Sequence, residues 1–214
     1  MTFTVLSVCA ANICRSPWMA VSLERSFAMR GLAGDVVVRS AGVSAAAGEA
    51  VCPEITRLAA MHGVSSPRLE QHRSMLLDDE LIDGADLILT ADRSGRSDIV
   101  RRGRPQSSER TFTLREAAQL ADAVAPRVRG HTLEDRLRSL CAQMNHSRGL
   151  TDLPGVERVA TRQLAWRRLE VHTHDIPDSH GDPHAPHRLV FRLVPPTADQ
   201  LVASLAVGAL EHLR

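Results

Sequence analysis

Two rhythms of apolar residues alternate along the first half of the chain. Residues 3–8, FTVLSV, form a short, β-branched and nearly continuous apolar run, the pattern of a strand buried on both faces. From Ser16-Pro17 to about Gly31 the spacing changes to that of a helix, with Met19, Leu23, Phe27 and Met29 or Arg30 expected near its inner face. Ser near the N-cap and Pro in the first turn mark its start. DVVVR (35–39) predicts a second strand, and residues 49–62 a second helix stopped by Gly63. Residues 74–82 predict a short helix, ADLILT (85–90) a third strand and RTFTL (110–114) a fourth. Strands alternating with helices specify a parallel α/β sheet with right-handed crossovers.

The rhythm changes after Leu114. Residues 115–170 read as largely helical, broken at Pro126, Gly130, Gly149 and Pro154-Gly155. Residues 172–188 read as a polar loop, and 197–213 as an amphipathic last helix opened by a capping box of Thr197 and Gln200. With no internal repeat and no long low-complexity linker, the expectation is one domain over 1–214 with a helical insertion at about 119–170.

The first strand ends at a cysteine, and CAANICRS leads from it into the first helix. A loop in that position aims successive backbone N–H groups into one concavity, and the helix dipole adds positive potential. A thiolate at Cys9 is stabilised there. Arg15 can hold two oxygens of a phosphoryl group with its planar fork, and Ser16 can donate a hydrogen bond to the sulfur. Asn12 tolerates the left-handed conformation that such a loop needs. These residue types suit attack by sulfur on a phosphate monoester, giving a cysteinyl-phosphate.

CAANICRS also fits the C-x5-R-[ST] signature, and in form and position it resembles the low-molecular-weight protein-tyrosine phosphatases. Ser40-Ala41-Gly42, Ala85–Asp92, Thr111–Glu116 and Asp175-Ile176-Pro177-Asp178 resemble that family too, over roughly residues 3–118 and 172–213. The resemblance implies an α/β three-layer sandwich with a four-stranded parallel sheet in the order 2-1-3-4, flanked by helices. It implies hydrolysis of phosphotyrosine on proteins, with Cys9, Arg15 and Asp178 catalytic. Ala10, Ala11, Asn12, Ile13, Cys14, Arg15 and Ser16 would bind the phosphate and Ser40 would support the loop. Asp182, in a second Asp-Pro, is the alternative acid. No cofactor and no metal are implied. The partner implied is a phosphotyrosine protein, such as a bacterial tyrosine kinase or its targets. A second cysteine at the place of Cys14 implies a protective disulfide with Cys9 on oxidation.

The chain departs from that family at several points. Ala11 stands where a Gly is usual. The aromatic walls of an aryl slot are missing: Val43–Gly48 has none, and His180 and Trp18 are the substitutes on offer. Ile13 stands where phosphoarginine-directed relatives carry Thr. Arsenate reductases of the same fold relay a disulfide through two further cysteines, and neither Cys52 nor Cys141 lies at the expected place after the third strand. A phosphoprotein-binding module with little turnover and a metal-binding protein are the remaining alternatives.

Composition narrows the setting. The net charge is +1, so no global field draws the chain to nucleic acid or anionic membrane. All 26 basic residues are Arg, a coding bias rather than a chemical signal. The N-terminal apolar run falls far short of the ~20 residues of a membrane span and of a signal peptide. The four cysteines are scattered and form no disulfide framework, so a reducing, cytoplasmic setting is expected. Five of the ten histidines lie in 172–187, a stretch read as a flexible polar loop rather than a zinc pattern, with no Cys pair near it in sequence.

Overall fold

The computed structural model describes residues 2–210 except 104, 131, 151–155, 161–167 and 183. Four parallel strands, β1 (Phe3–Cys9), β2 (Val36–Gly42), β3 (Leu87–Thr90) and β4 (Thr111–Thr113), lie in the order β2-β1-β3-β4. Register is continuous, from Phe3 opposite Val36 to Cys9 opposite Gly42. On the other side of β1, Val5 pairs with Leu87 and Val8 with Thr90. This is the α/β sheet and the strand order expected from the sequence.

Alternation on β1 divides the core. Phe3, Val5 and Cys9 face one layer, together with Leu87, Leu89 and Phe112. Leu6 and Val8 face the other, with Ile82, Ile88 and Ile99. The first layer is covered by α1 (Arg15–Met29), α7 (Leu114–Val124), α8 (Leu133–Ser147) and α9 (His187–Leu210). The second is covered by short pieces, α4 (Asp79–Asp83) and α5 (Arg93–Arg102). Between them in sequence come α2 (Pro53–Met61), α3 (Pro67–Gln71) and α6 (Pro105–Glu109). Among the described residues, no helix is long and apolar enough to cross a membrane.

Several elements differ from expectation. Met29 is 70% exposed at the end of α1, while Met19, Leu23 and Phe27 are buried as expected. Helix α5 has a mostly polar sequence, RSGRSDIVRR, and is started by the Asp92 side chain accepting from Gly95 N. Residues 115–170 read as largely helical pieces, but β5 (Val156–Ala160) pairs antiparallel with β6 (Arg168–His172). VERVA shows no period-two alternation of apolar and polar residues, so the sequence carried no strand signal at β5. The expected break at Pro154-Gly155 lies outside the described residues.

The last helix begins at His187, ten residues before the expected Thr197, and runs through Pro195 and Pro196. Thr197 is therefore not a cap: its hydroxyl donates to Leu193 O, one turn back (2.7 Å). A proline inside a helix leaves the carbonyl four residues earlier without its N–H. For Pro195 that carbonyl belongs to Phe191, and the Trp18 indole N–H donates to it at 3.3 Å. Trp18 also stacks on the Phe191 ring, with centroids 4.6 Å apart and planes 15° from parallel. Trp18 thus belongs to the α1–α9 interface, 2% exposed, and not to a substrate slot.

Trp18→Phe keeps a ring for the stack but leaves the Phe191 carbonyl without a donor. Loss of a partner to a buried polar group costs about 1–3 kcal/mol. Urea unfolding should show a loss of that size, and an unchanged midpoint would contradict the role given to the indole.

Candidate active site

The loop between β1 and α1 is shaped by where its carbonyls go. Cys9 O accepts from Val43 N (3.0 Å), Ala10 O from Ser44 N (3.0 Å), Ile13 O from Cys52 N (2.7 Å) and Cys14 O from Trp18 N (3.3 Å). Asn12 O meets His72 Nε2 at 2.7 Å. In a planar trans peptide the next N–H points opposite to the carbonyl. The N–H groups of Ala10, Ala11, Ile13, Cys14 and Arg15 are thereby aimed at the inside of the loop. They make a nest for an oxyanion at the start of α1.

One residue takes the left-handed turn. Asn12 has φ 54°, the one positive φ on a non-glycine among the described residues. Its side chain is held at both ends: Nδ2 donates to Ser16 Oγ (2.8 Å) and Oδ1 accepts from Met75 N (2.9 Å). Because the turn falls on Asn12, Ala11 fits without the freedom of glycine.

Gly42 lets β2 approach the loop. A Cβ there would lie 2.5 Å from Ala10 O, 2.8 Å from Asn12 N and 2.9 Å from the Ala11 carbonyl carbon, all backbone atoms. Only glycine fits so close a backbone crossing.

Inside the loop, Cys9 Sγ lies 3.1 Å from Ser16 Oγ. The Ser16 hydroxyl has one proton and two acceptors in reach, Cys9 Sγ and Ala41 O (3.2 Å). It can therefore serve a thiolate by turning from the carbonyl to the sulfur. Arg15 is 4% exposed. Its Nη1 donates to Asp92 Oδ2 (2.6 Å) and to Ile176 O (3.3 Å), and its Nη2 meets Asp178 Oδ2 at 2.8 Å. Burial opposes the charge of Arg15, but the Cys9 sulfur, Asp92 and Asp178 outweigh it and hold the guanidinium above its ordinary range.

The chain brings Asp178 in by anchoring the segment before it. Ile176 N donates to Ala91 O (2.7 Å), and Asp175 accepts from Arg93 N (3.0 Å) while pairing with its guanidinium. A Cβ on Gly181 would lie 3.0 Å from Asp178 Oδ2. Asp182 is turned elsewhere: its carboxylate accepts from His184 N (2.8 Å), and its own N–H donates to Asp178 O (2.8 Å). Of the two carboxylates, Asp178 is the one at Arg15.

A tetrahedral oxyanion fits this arrangement of nest, guanidinium and thiol, and residues 4–148 match the low molecular weight phosphotyrosine protein phosphatase family. The chain belongs to that family. It is therefore a hydrolase acting on phosphoryl groups. It is 36% identical over 119 residues to a probable low molecular weight protein-tyrosine-phosphatase EpsP of Ralstonia nicotianae, covering 56% of this chain and 75% of that one. It is also 36% identical over 116 residues to a protein-arginine-phosphatase of Geobacillus stearothermophilus, covering 54% and 72%. Among solved structures it resembles the YwlE arginine phosphatase of Geobacillus stearothermophilus, at 26% identity and TM-score 0.63 over 98% of this chain and 97% of that one. The tyrosine phosphatase amsI of Erwinia amylovora shares the fold, at 18% identity and TM-score 0.59 over 95% and 93%.

Two residues of this phosphatase's site were given no role in the sequence. Asp92 joins the start of α5 to Arg15, and His72 holds the Asn12 carbonyl, each across more than fifty residues. Burial keeps His72 below its usual range, so it favours the neutral ring whose Nε2–H donates to Asn12 O. An Asp ahead of a helix was the available signal for Asp92; His72 had none. Ser40, expected to support the loop, lines a groove with His72 and Met75, and the neighbouring Ala41 carbonyl accepts from Ser16 Oγ. The Cys14 sulfur lies within 4.8 Å of the Cys52 sulfur. The neighbouring Cys52 and burial push Cys14 up, while the neighbouring Cys14 draws Cys52 down. Cys141 is buried in α8, and burial pushes it up to about 12, an inert thiol.

Gly42→Ala forces a methyl into the loop backbone. A displacement of about 1 Å at a reacting centre can cost roughly a hundredfold in rate. Hydrolysis of an aryl phosphate should fall by about that factor and affinity for inorganic phosphate should fall with it. Wild-type values for both would show that β2 does not set the loop.

Proposed function

We propose that the chain hydrolyses phosphotyrosine on proteins through a cysteinyl-phosphate intermediate, with Cys9 as nucleophile, Arg15 as phosphate clamp and Asp178 as general acid. The observation that carries this reading is the shared guanidinium: Arg15 touches Asp178 and lies in the field of Cys9. A phosphoryl group entering the loop takes over the Nη2 that Asp178 holds. The freed carboxyl group then lies beside the phosphoryl group, within reach of the leaving oxygen.

In the first step the Cys9 thiolate attacks phosphorus, the S–P bond forms, and the P–O bond to the leaving group breaks. The leaving oxygen takes the proton of Asp178. In the second step Asp178, now a carboxylate, removes a proton from water. The hydroxide equivalent attacks phosphorus, the S–P bond breaks and the thiolate returns. The nest and Arg15 stabilise charge on the equatorial oxygens in both steps, and Ser16 stabilises the departing thiolate.

Relatives named for phosphotyrosine and for phosphoarginine both match the chain. Ile13 favours the aryl substrate, because it is half-buried against the core and offers no acceptor to a guanidinium. The slot lacks aromatic walls, so recognition of the ring rests on Ile13 and on contacts made by the protein substrate. A bacterial tyrosine kinase or its targets fit as partners. Four free cysteines suit a reducing cytoplasm.

The test is turnover by wild type and variants. Cys9→Ser should abolish hydrolysis, and Arg15→Lys should be severely impaired because it keeps the charge but loses the fork. Asp178→Asn should lower kcat for a poor leaving group by roughly 10²–10⁴-fold and far less for an activated aryl phosphate. A phosphotyrosine peptide should give a higher kcat/KM than a phosphoarginine peptide. Full activity in Cys9→Ser sinks the mechanism, and the reverse substrate preference sinks the assignment of substrate.

A further inference from the structure

The fold gathers four soft ligands from four separate stretches beside the phosphate loop. Cys14 ends the loop at the start of α1, and Cys52 precedes α2. His180 follows Asp178 by two residues, and His187 opens α9. One ligand atom from each lies within 4.8 Å of all the others. The two cysteines are 38 apart in sequence, and the backbone bond from Cys52 N to Ile13 O (2.7 Å) brings them together. The histidines come from the stretch that reads as a polar loop. Their rings meet Nε2 to Nε2 at 3.1 Å and stand at 89° to each other.

Two ring nitrogens turned onto each other, over two adjacent thiols, form a donor set that a cation would satisfy. A tetrahedral zinc ion, with bonds of about 2.0–2.1 Å to nitrogen and 2.3 Å to sulfur, holds its ligand atoms roughly 3.3–3.8 Å apart. A cluster no wider than 4.8 Å needs a contraction of about 1.5 Å at most to reach that geometry. Two thiolates with two imidazoles are the ligand types that select zinc over magnesium or calcium.

We propose that Cys14, Cys52, His180 and His187 bind one divalent zinc-type ion. Four protein ligands complete a tetrahedron, so the site is closed and structural, with no position left for substrate or water. The ion enters from the surface, because both cysteines are buried while His180 is exposed and His187 half-buried. Any proton on the two thiols leaves to solvent as the metal–sulfur bonds form. Cys14 immediately precedes Arg15, and His180 N donates to Asp178 Oδ1 (3.1 Å). The ion therefore ties the segment carrying Asp178 to the loop carrying Arg15. It also engages the Cys14 sulfur, which is then unavailable to a disulfide with Cys9.

The full chain, stripped with a chelator and dialysed, should be titrated with cobalt(II) and then zinc(II). The expected result is one equivalent of cobalt with the intense visible absorption of a tetrahedral thiolate complex, bleached by one equivalent of zinc. His180→Ala changes an exposed residue and does not threaten the fold; Cys52→Ser removes a buried ligand. Each should weaken cobalt binding by more than the roughly 10–100-fold that loss of an outer-shell partner brings. Cys9→Ser should bind as wild type does. Absence of the thiolate absorption, wild-type affinity in either ligand variant, or loss of binding in Cys9→Ser overturns the proposal. Since the readout is binding and not turnover, it stands or falls separately from the catalytic reading.

Discussion

A buried guanidinium held between two carboxylates organises this molecule. Arg15 is 4% exposed, and its Nη1 meets Asp92 Oδ2 at 2.6 Å while its Nη2 meets Asp178 Oδ2 at 2.8 Å. A charge so buried is costly unless it is paired and its donors are used. Asp92 comes from the end of β3 and the start of α5, and Asp178 from the segment before α9. The pairing thus draws three distant parts of the chain onto the end of the sheet. Ligands of open parallel sheets bind at such a place, beyond the carboxyl ends of the strands.

The second constraint is the outward turn of the loop carbonyls. Each is taken by a group next to or on a packed element: Val43 and Ser44 after β2, His72 after α3, Cys52 before α2 and Trp18 on α1. The N–H groups can face inward because their peptide partners are satisfied elsewhere. Trp18 links this to the far side of the core. Its backbone closes the loop at Cys14 O, and its indole replaces the hydrogen bond that Pro195 removes from α9.

How much of this could be read from the chain depended on range. The strand, loop and helix over Phe3–Met29 were legible because their signals are local: an apolar run, a Cys-x5-Arg spacing and Ser-Pro. The sheet order followed from resemblance and is the one found. Asp178 was legible from its Asp-Ile-Pro-Asp context, and the geometry separates it from Asp182 through contacts with Arg15 and His184. His72 and Asp92 act across 60 and 77 residues, where no pattern in one sequence points. The hairpin of β5 and β6 was masked by helix-favouring composition, and the true start of α9 by Pro195-Pro196, which ordinarily ends a helix. The His-rich stretch 172–187 reads as a polar loop because no cysteine pair lies near it in sequence; only the tertiary fold makes Cys14 and Cys52 neighbours of His180 and His187.

The central claim is that the Cys9 sulfur carries the phosphoryl group between the two steps. Acid quenching of the enzyme during turnover of an aryl phosphate, followed by mass spectrometry of its peptides, tests this directly. The account predicts one phosphoryl group on the peptide containing Cys9, on sulfur, in amounts that rise when Asp178→Asn slows hydrolysis of the intermediate. Continued turnover with no phosphoryl group on Cys9, or with the group on another residue, would contradict it.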